Sequence, residues 1–276
     1  HNFSVYGYYS KYTYFCPMFL KRHFYLVKIQ YLGFRYHGWQ KQPNVLTVEH
    51  MISRTLAFIL DHKKFKILAS GRTDAKVSAN VAYMELFLDD DSLDLDTFLE
   101  LFNKNLPQDV RALAISEVNK DFNIIGAPKF KEYVYLFSYG SKNHPFAAPY
   151  ITGRQETLDI TMMQEAAKLF EGEHDFRTYA YKPTPETKTQ GSISVCEIVP
   201  NKLFTANFFP KESFLLRVTG KGFKRHQIRL MMGVLFDVGA GKFDVDLVKE
   251  TLVPGNTIKL EHIAQASGLI LNDVQL

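Results

Sequence analysis

Phe24-Tyr25-Leu26-Val27-Lys28-Ile29-Gln30-Tyr31 is the stretch on which the reading of this chain turns. Tyr25, Val27, Ile29 and Tyr31 alternate with Leu26, Lys28 and Gln30, the period of two expected of a half-buried strand. Downstream the period changes. Val48, Ile52, Leu56 and Ile59 recur at helical spacing behind Thr47, a residue whose hydroxyl can cap a helix. Residues 65–69 read as a short strand. Residues 81–88 alternate again, with Ala82, Met84, Leu86 and Leu88 on one face. Leu95, Phe98, Leu99 and Phe102 form a second amphipathic helix behind Asp94, and residues 113–118 read as a strand. The order is therefore β-α-β-β-α-β.

From residue 131 the pattern starts over. Tyr133, Tyr135, Phe137 and Tyr139 share one strand face, and a helix runs through Met163, Ala167 and Phe170. Residues 193–198, 203–208 and 214–218 have β character, followed by helices over about 223–238 and 246–252. We expect an α+β protein of two ferredoxin-like halves, each with an antiparallel sheet, meeting in a central basic cleft and joined near residues 119–130. The halves span 18–120 and 121–276. Residues 1–17, aromatic and polar without a clear period, are expected to be an extension ahead of a start at Met18. The one linker-like stretch, 182–191, carries Pro183 and Pro185.

Composition narrows the function. The 276 residues are 46% hydrophobic and 22% charged, which suits a folded chain and excludes disorder or a fibre. The longest apolar run, residues 230–236, is far short of the roughly 20 residues that span a bilayer, so no membrane insertion is expected. Cys16 and Cys196 cannot make a disulfide framework or a four-cysteine zinc site, and the reducing cytoplasm is the expected location. The net charge is +4, unevenly spread: residues 89–96 hold five carboxylates and no base. Residues 215–236 carry Arg217, Lys221, Lys224, Arg225 and Arg229 without an acid, a local excess that attracts a polyanion.

Two polar segments between apolar ones carry the chemistry. Gly71-Arg72-Thr73-Asp74-Ala75-Lys76-Val77-Ser78-Ala79 is a turn between strands, where a reactive side chain is readily presented. A lone Asp after Thr is ordinarily a turn former, and spacing alone does not separate the two roles. Gly220-Lys221-Gly222-Phe223-Lys224-Arg225-His226-Gln227-Ile228-Arg229 passes from strand to helix through two glycines, which permit close backbone approach to a ligand, and a helix N-terminus favours anions. On the expected helix Arg225, His226 and Arg229 share one side, while Phe223, Ile228, Met231 and Leu235 point elsewhere. The P-loop pattern is absent. His174-Asp175 lacks the second His/Asp cluster that a metal site would need. Trp39 next to Gly38 is either an RNA-stacking ring or a buried structural one.

Together these segments resemble the TruA family of tRNA pseudouridine synthases from about Tyr25 to Leu271. The resemblance rests on Tyr31-Leu32-Gly33, Tyr36-His37-Gly38-Trp39-Gln40, Thr47-Val48-Glu49, Gly71-Arg72-Thr73-Asp74-Ala75, Lys131-Glu132-Tyr133-Val134-Tyr135, Gly172-Glu173-His174-Asp175-Phe176, the 222–233 segment and Gly268-Leu269, in that order. It implies isomerisation of uridine to pseudouridine in tRNA, at uridines 38 to 40 of the anticodon stem-loop, with no cofactor and no metal. It also implies a homodimer. Asp74 is then the catalytic carboxylate, Arg72 the loop arginine that helps hold the flipped nucleotide, Tyr133 the ring against the target base, and Arg229 the partner of Asp74. Lys76, Lys221, Lys224, Arg225, His226 and His37 are expected to contact RNA. The chain departs from the family pattern at Leu32 (usually Asp), Lys76 (usually Gly) and Ser78 (usually His), and an arginine common near 192–194 is missing. Lys76 and Ser78, beside the carboxylate, are the ground for a competing reading as an RNA-binding protein that has lost catalysis. A metal-dependent hydrolase is a third.

Overall fold

The computed structural model describes residues 21–61, 64–89 and 92–276; the expectations about residues 1–17, Met18 and Cys16, and part of the acidic run, lie outside them. The first strand, β1 (Arg22–Tyr31), buries Tyr25, Val27, Ile29 and Tyr31, as its alternation requires. Helix α1 (Val48–Ile59) starts where the Thr47 hydroxyl accepts the His50 N–H, and α2 (Leu95–Asn105) where Asp94 accepts the Thr97 N–H. Around them lie β2 (Phe65–Ala69), β3 (Ser78–Asp89) and β4 (Val110–Glu117). Then come β5 (Phe130–Ser138), the two-residue β6 (Thr152–Gly153), α3 (Ile160–Lys168), β7 (Gly172–Asp175) and β8 (Gln190–Pro200). β9 (Phe214–Gly220), α4 (Gln227–Gly239), α5 (Val245–Thr251) and β10 (Leu269–Gln275) complete the order.

The expectation of two separate sheets gives way to one continuous mixed sheet, ordered β4-β1-β3-β10-β5-β9-β8-β7, with β2 added to β3 and β6 to β5. Its seam is β10, which runs parallel to β3 at Ile270 and Leu271 and antiparallel to β5, where Leu271 faces Tyr133. On either side of the seam one arrangement repeats. β4-β1-β3-β2 and β10-β5-β9-β8 each put the last strand of a set beside the first, then the third, then the second. Helices α1 and α2 cover a core centred on Tyr25, Ile52, Leu56, Met84 and Phe102; α3 and α4 cover another centred on Tyr135, Phe137, Phe170 and Leu235. Leu271 and Val274 enter the first core although they close the chain, and Val77 enters the second although it lies early.

Residues 203–208 are not a strand. The Asn201 side chain accepts the Leu203 and Phe204 N–H groups at 3.2 and 3.1 Å and donates to the Phe204 carbonyl, closing a turn, and Phe204 and Phe209 pack on a cluster of Val134, Leu136, Ile151, Leu215 and Ile270. Helix α4 begins four residues later than its apolar spacing suggests. His226 takes a left-handed conformation (φ 60°) and the Gln227 side chain accepts the Lys224 N–H at 2.8 Å, so Arg225 and His226 belong to the approach, not to the helix. Phe170 is buried just beyond the end of α3.

Candidate active site

The loop between β2 and β3 is held from below by residues 33–39. Thr73 offers its carbonyl to the Trp39 N–H (3.1 Å) and its hydroxyl lies 2.8 Å from the Tyr31 hydroxyl; Tyr36 accepts the Lys76 N–H. Gly38 has φ 89°, and a Cβ there would stand 2.7 Å from the Thr73 carbonyl oxygen. Trp39 is buried against Tyr31 in the first core, so it is structural and not an RNA platform. Ser78, far from disturbing the loop, accepts the Gly33 N–H at 2.9 Å. Lys76 has φ 65°, the backbone region that a glycine adopts without strain.

This framework presents Asp74 into a cleft of about 880 Å³ lined from both sides of the β10 seam: His37, Gly71, Arg72 and Asp74 on one, Lys131, Tyr133, Phe223 and residues 224–229 on the other. Asp74, Tyr133 and Arg229 therefore converge despite their separation along the chain. Arg229 Nη1 stands 4.0 Å from Asp74 Oδ2, and its Nε donates to the Ala264 carbonyl at 2.8 Å, fixing the guanidinium from the far side. Burial pulls the Arg229 pKa down, with Asp74 opposing, yet a guanidinium stays charged. His226 Nε2 lies 3.4 Å from the same carboxylate oxygen. Its Nδ1 is buried with no hydrogen-bond partner, and the Tyr181 ring packs on it at 4.5 Å. Burial lowers the His226 pKa, against the pull of Asp74 and with help from Arg229 and Arg225, so the imidazole is neutral near pH 7.

Tyr133 crosses the Phe223 ring edge to face at 5.3 Å, and burial together with the Asp74 charge raises its pKa, which keeps the phenol protonated. Arg72 is exposed at the cleft. Arg225 lies over the Tyr181 ring, and Lys224 donates to the Gln190 carbonyl. Of the residues expected to contact RNA or the flipped nucleotide, His37, Arg72, Lys224, Arg225 and His226 line the cleft, whereas Lys76 and Lys221 do not. Lys76 leaves the far end of the loop with its ammonium 5.9 Å from the Phe34 ring centre, and Lys221 is exposed in the turn after β9. Phe223 and Ile228, expected to point away, are in the cleft wall, Phe223 because the helix has not yet begun there and Ile228 from the first turn of α4.

The family model described as tRNA pseudouridine synthase matches residues 28–125 and 166–275. The chain belongs to the tRNA pseudouridine synthase family. Among its relatives, tRNA pseudouridine synthase A 1 of Protochlamydia amoebophila is 30% identical over 91% of this chain and 96% of its own length. tRNA pseudouridine synthase A of Geotalea uraniireducens is 32% identical over 89% and 96%. The solved structure of an H/ACA RNP bound to a substrate RNA containing 2'-deoxyuridine aligns with 75% of this chain and 44% of its own at 15% identity, with a TM-score of 0.31, too slight a likeness to bear on the argument. Both matched blocks of the family model contribute to the cleft, the first through Asp74 and the second through Arg229.

Sequence reasoning missed Lys131 in this wall and Tyr181 behind it, where the ring packs on His226 and Arg225. Lys131 precedes Tyr133 by two on β5, and period two alone puts it on the same face. Tyr181 comes just before the proline-bearing stretch that read as linker; its N–H donates to the Arg225 carbonyl, and no local pattern announces that long-range bond. His174 and Asp175 serve locally instead: the His174 Nε2 pairs with the Glu171 carbonyl and Asp175 accepts the Arg177 N–H.

Proposed function

We propose that this tRNA pseudouridine synthase, an isomerase, works through Asp74, with Arg229 as its counter-charge, Tyr133 as the ring that receives the extruded base and Arg72 as a hold on the flipped nucleotide. The observation that carries this reading is the meeting of Asp74 from one half with Arg229 and Tyr133 from the other inside a single basic cleft. Uracil must leave C1' through its N1–C1' bond, turn, and rejoin through C5, losing the C5 proton and gaining one at N1; substrate and product are isomers, so nothing else is consumed. An ionised carboxylate serves this whether it attacks C1' or removes a proton while stabilising an electron-poor sugar. Arg229 places a positive charge beside that carboxylate in the cleft. The extruded base loses its stacking, and a ring such as Tyr133 restores about 1–3 kcal/mol of it.

The repeated strand order on either side of β10 supports two ferredoxin-like halves, with the division at 120/121 falling in the 118–129 connection. The substrate site is proposed as the anticodon stem-loop of tRNA at uridines 38 to 40, the enzyme as a cytoplasmic homodimer, and Lys224, Arg225, His226 and His37 as RNA contacts. The inactive-binder reading loses its ground because Ser78 serves the loop's frame and Lys76 points out of the cleft. Asp74→Asn keeps the volume and removes the charge. In single-turnover assays on an unmodified tRNA pool it should make no pseudouridine while melting and binding like wild type; an Asn variant at wild-type rate would end the assignment.

A further inference from the structure

Lys131 has no role in the chemistry described so far, yet it sits at an unusual place. Its amine is half buried in the cleft wall and donates to the Ser70 carbonyl at 2.8 Å. Ser70 is itself buried; its N–H donates to the Tyr83 carbonyl, so the residue is pinned to β3 at the point where the Asp74 loop departs. A buried carbonyl needs a donor, and here the donor comes across the seam from β5, two residues from Tyr133 and on the same face. Gly71 makes room for it: a Cβ at that position would stand 2.7 Å from Lys131 Nζ, with nothing else nearer than the same side chain's Cε at 3.8 Å. Burial lowers the Lys131 pKa, and no neighbouring carboxylate opposes the shift, so the amine is not there to balance Asp74 electrostatically.

We propose that Lys131 is a positioning residue, a latch from the Tyr133 strand to the root of the Asp74 loop that fixes the carboxylate of one half relative to the aromatic ring of the other. This rests on the assignment of Asp74 and Tyr133 made above. The latch acts through the backbone at Ser70 and Gly71, so its loss loosens the reacting geometry without removing a reacting group. Misplacement by an ångström or so is enough to slow a positioned reaction by about 100-fold.

The test uses two variants with one shared target. Lys131→Met keeps the aliphatic stem and deletes the donor. Gly71→Ala leaves Lys131 in the chain but pushes its flexible end off the Ser70 oxygen. Each should lower the single-turnover rate about 10- to 100-fold with half-saturating tRNA near the wild-type value, and the double variant should be no slower than the slower single. Wild-type activity on the same tRNA tests the family chemistry separately, so a failure of the latch is not confused with a failure of that chemistry. A Lys131→Met enzyme at wild-type rate overturns the proposal. So does one whose rate is intact while half-saturation rises, which makes the amine a phosphate contact. Losses that multiply in the double variant also overturn it. If Lys131→Met melts too early to assay, Gly71→Ala decides alone, and full activity there refutes the latch.

Discussion

His226 shares the Asp74 carboxylate with Arg229 but answers to pH where the arginine cannot. Its pKa in the folded protein lies below the ordinary 6.5, chiefly through burial. The unfolded chain therefore binds the proton more readily than the folded one, and stability contributed by the neutral, buried ring is present above pH 6.5 and is lost as pH falls below it. The groups facing the ring are Asp74, which favours its protonation, and Arg229 and Arg225, which oppose it, with Tyr181 stacked on its face. Comparing thermal melts of wild type and His226→Gln from pH 8 down through 6.5 isolates this residue from the acid titration of Asp109 and other paired carboxylates. The variant should lose less stability across the range, and parallel curves would assign the acid sensitivity elsewhere. His226 also illustrates what sequence cannot announce. Its motif marked it as an RNA contact, but neither its left-handed backbone nor its closeness to Asp74, on a loop 152 residues earlier, was legible there.

The two elements that bracket the cleft make separate predictions. In the Asp74 loop the controlling feature is the approach of Gly38 to the Thr73 carbonyl, so Gly38→Ala adds both a clash and a strained positive φ. It should cost about 1–3 kcal/mol in denaturant unfolding and reduce pseudouridine formation, whereas an alanine variant with unchanged midpoint would mean the loop rests on other supports. In the approach to α4, Arg225 lies over Tyr181 at the cleft mouth. Arg225→Ala should weaken tRNA binding and lower the slope of log affinity against log salt by about one, the signature of one lost phosphate contact; an unchanged slope would turn this side chain towards solvent. Most elements were legible because apolar period and a capping side chain coincide, as at Thr47 with Val48 and at Asp94 with Phe98. Residues 203–208 were misread for the opposite reason. Their aromatic spacing imitates a strand, while the Asn201 side chain ties the backbone into a turn. The Asp74 loop was legible as a polar turn between strands, but its partner Lys131 was visible only as a member of a strand face.

At the scale of the whole molecule, what joins the two cores is a strand and not a hinge. Leu271 is buried in the first core, faces Tyr133 across β10–β5 and Ala79 across β10–β3. Leu271→Ala should therefore cost about 2–5 kcal/mol and shift a single unfolding transition. Two resolved transitions in calorimetry, with only one of them moved, would show halves that melt independently. The same strand sets a schedule for synthesis. β10 is the last described element to leave the ribosome, so β3 and β5 wait with exposed edges while the residues between them are translated, at about 5–20 residues per second. The edge of β3 facing β10 is the one left open longest, and Asp74 stands beside its start. A nascent chain halted before residue 269 holds every cleft side chain but Leu269 and lacks the strand that brings them together, so it is unable to modify RNA and open to edge-to-edge pairing with its neighbours on a polysome.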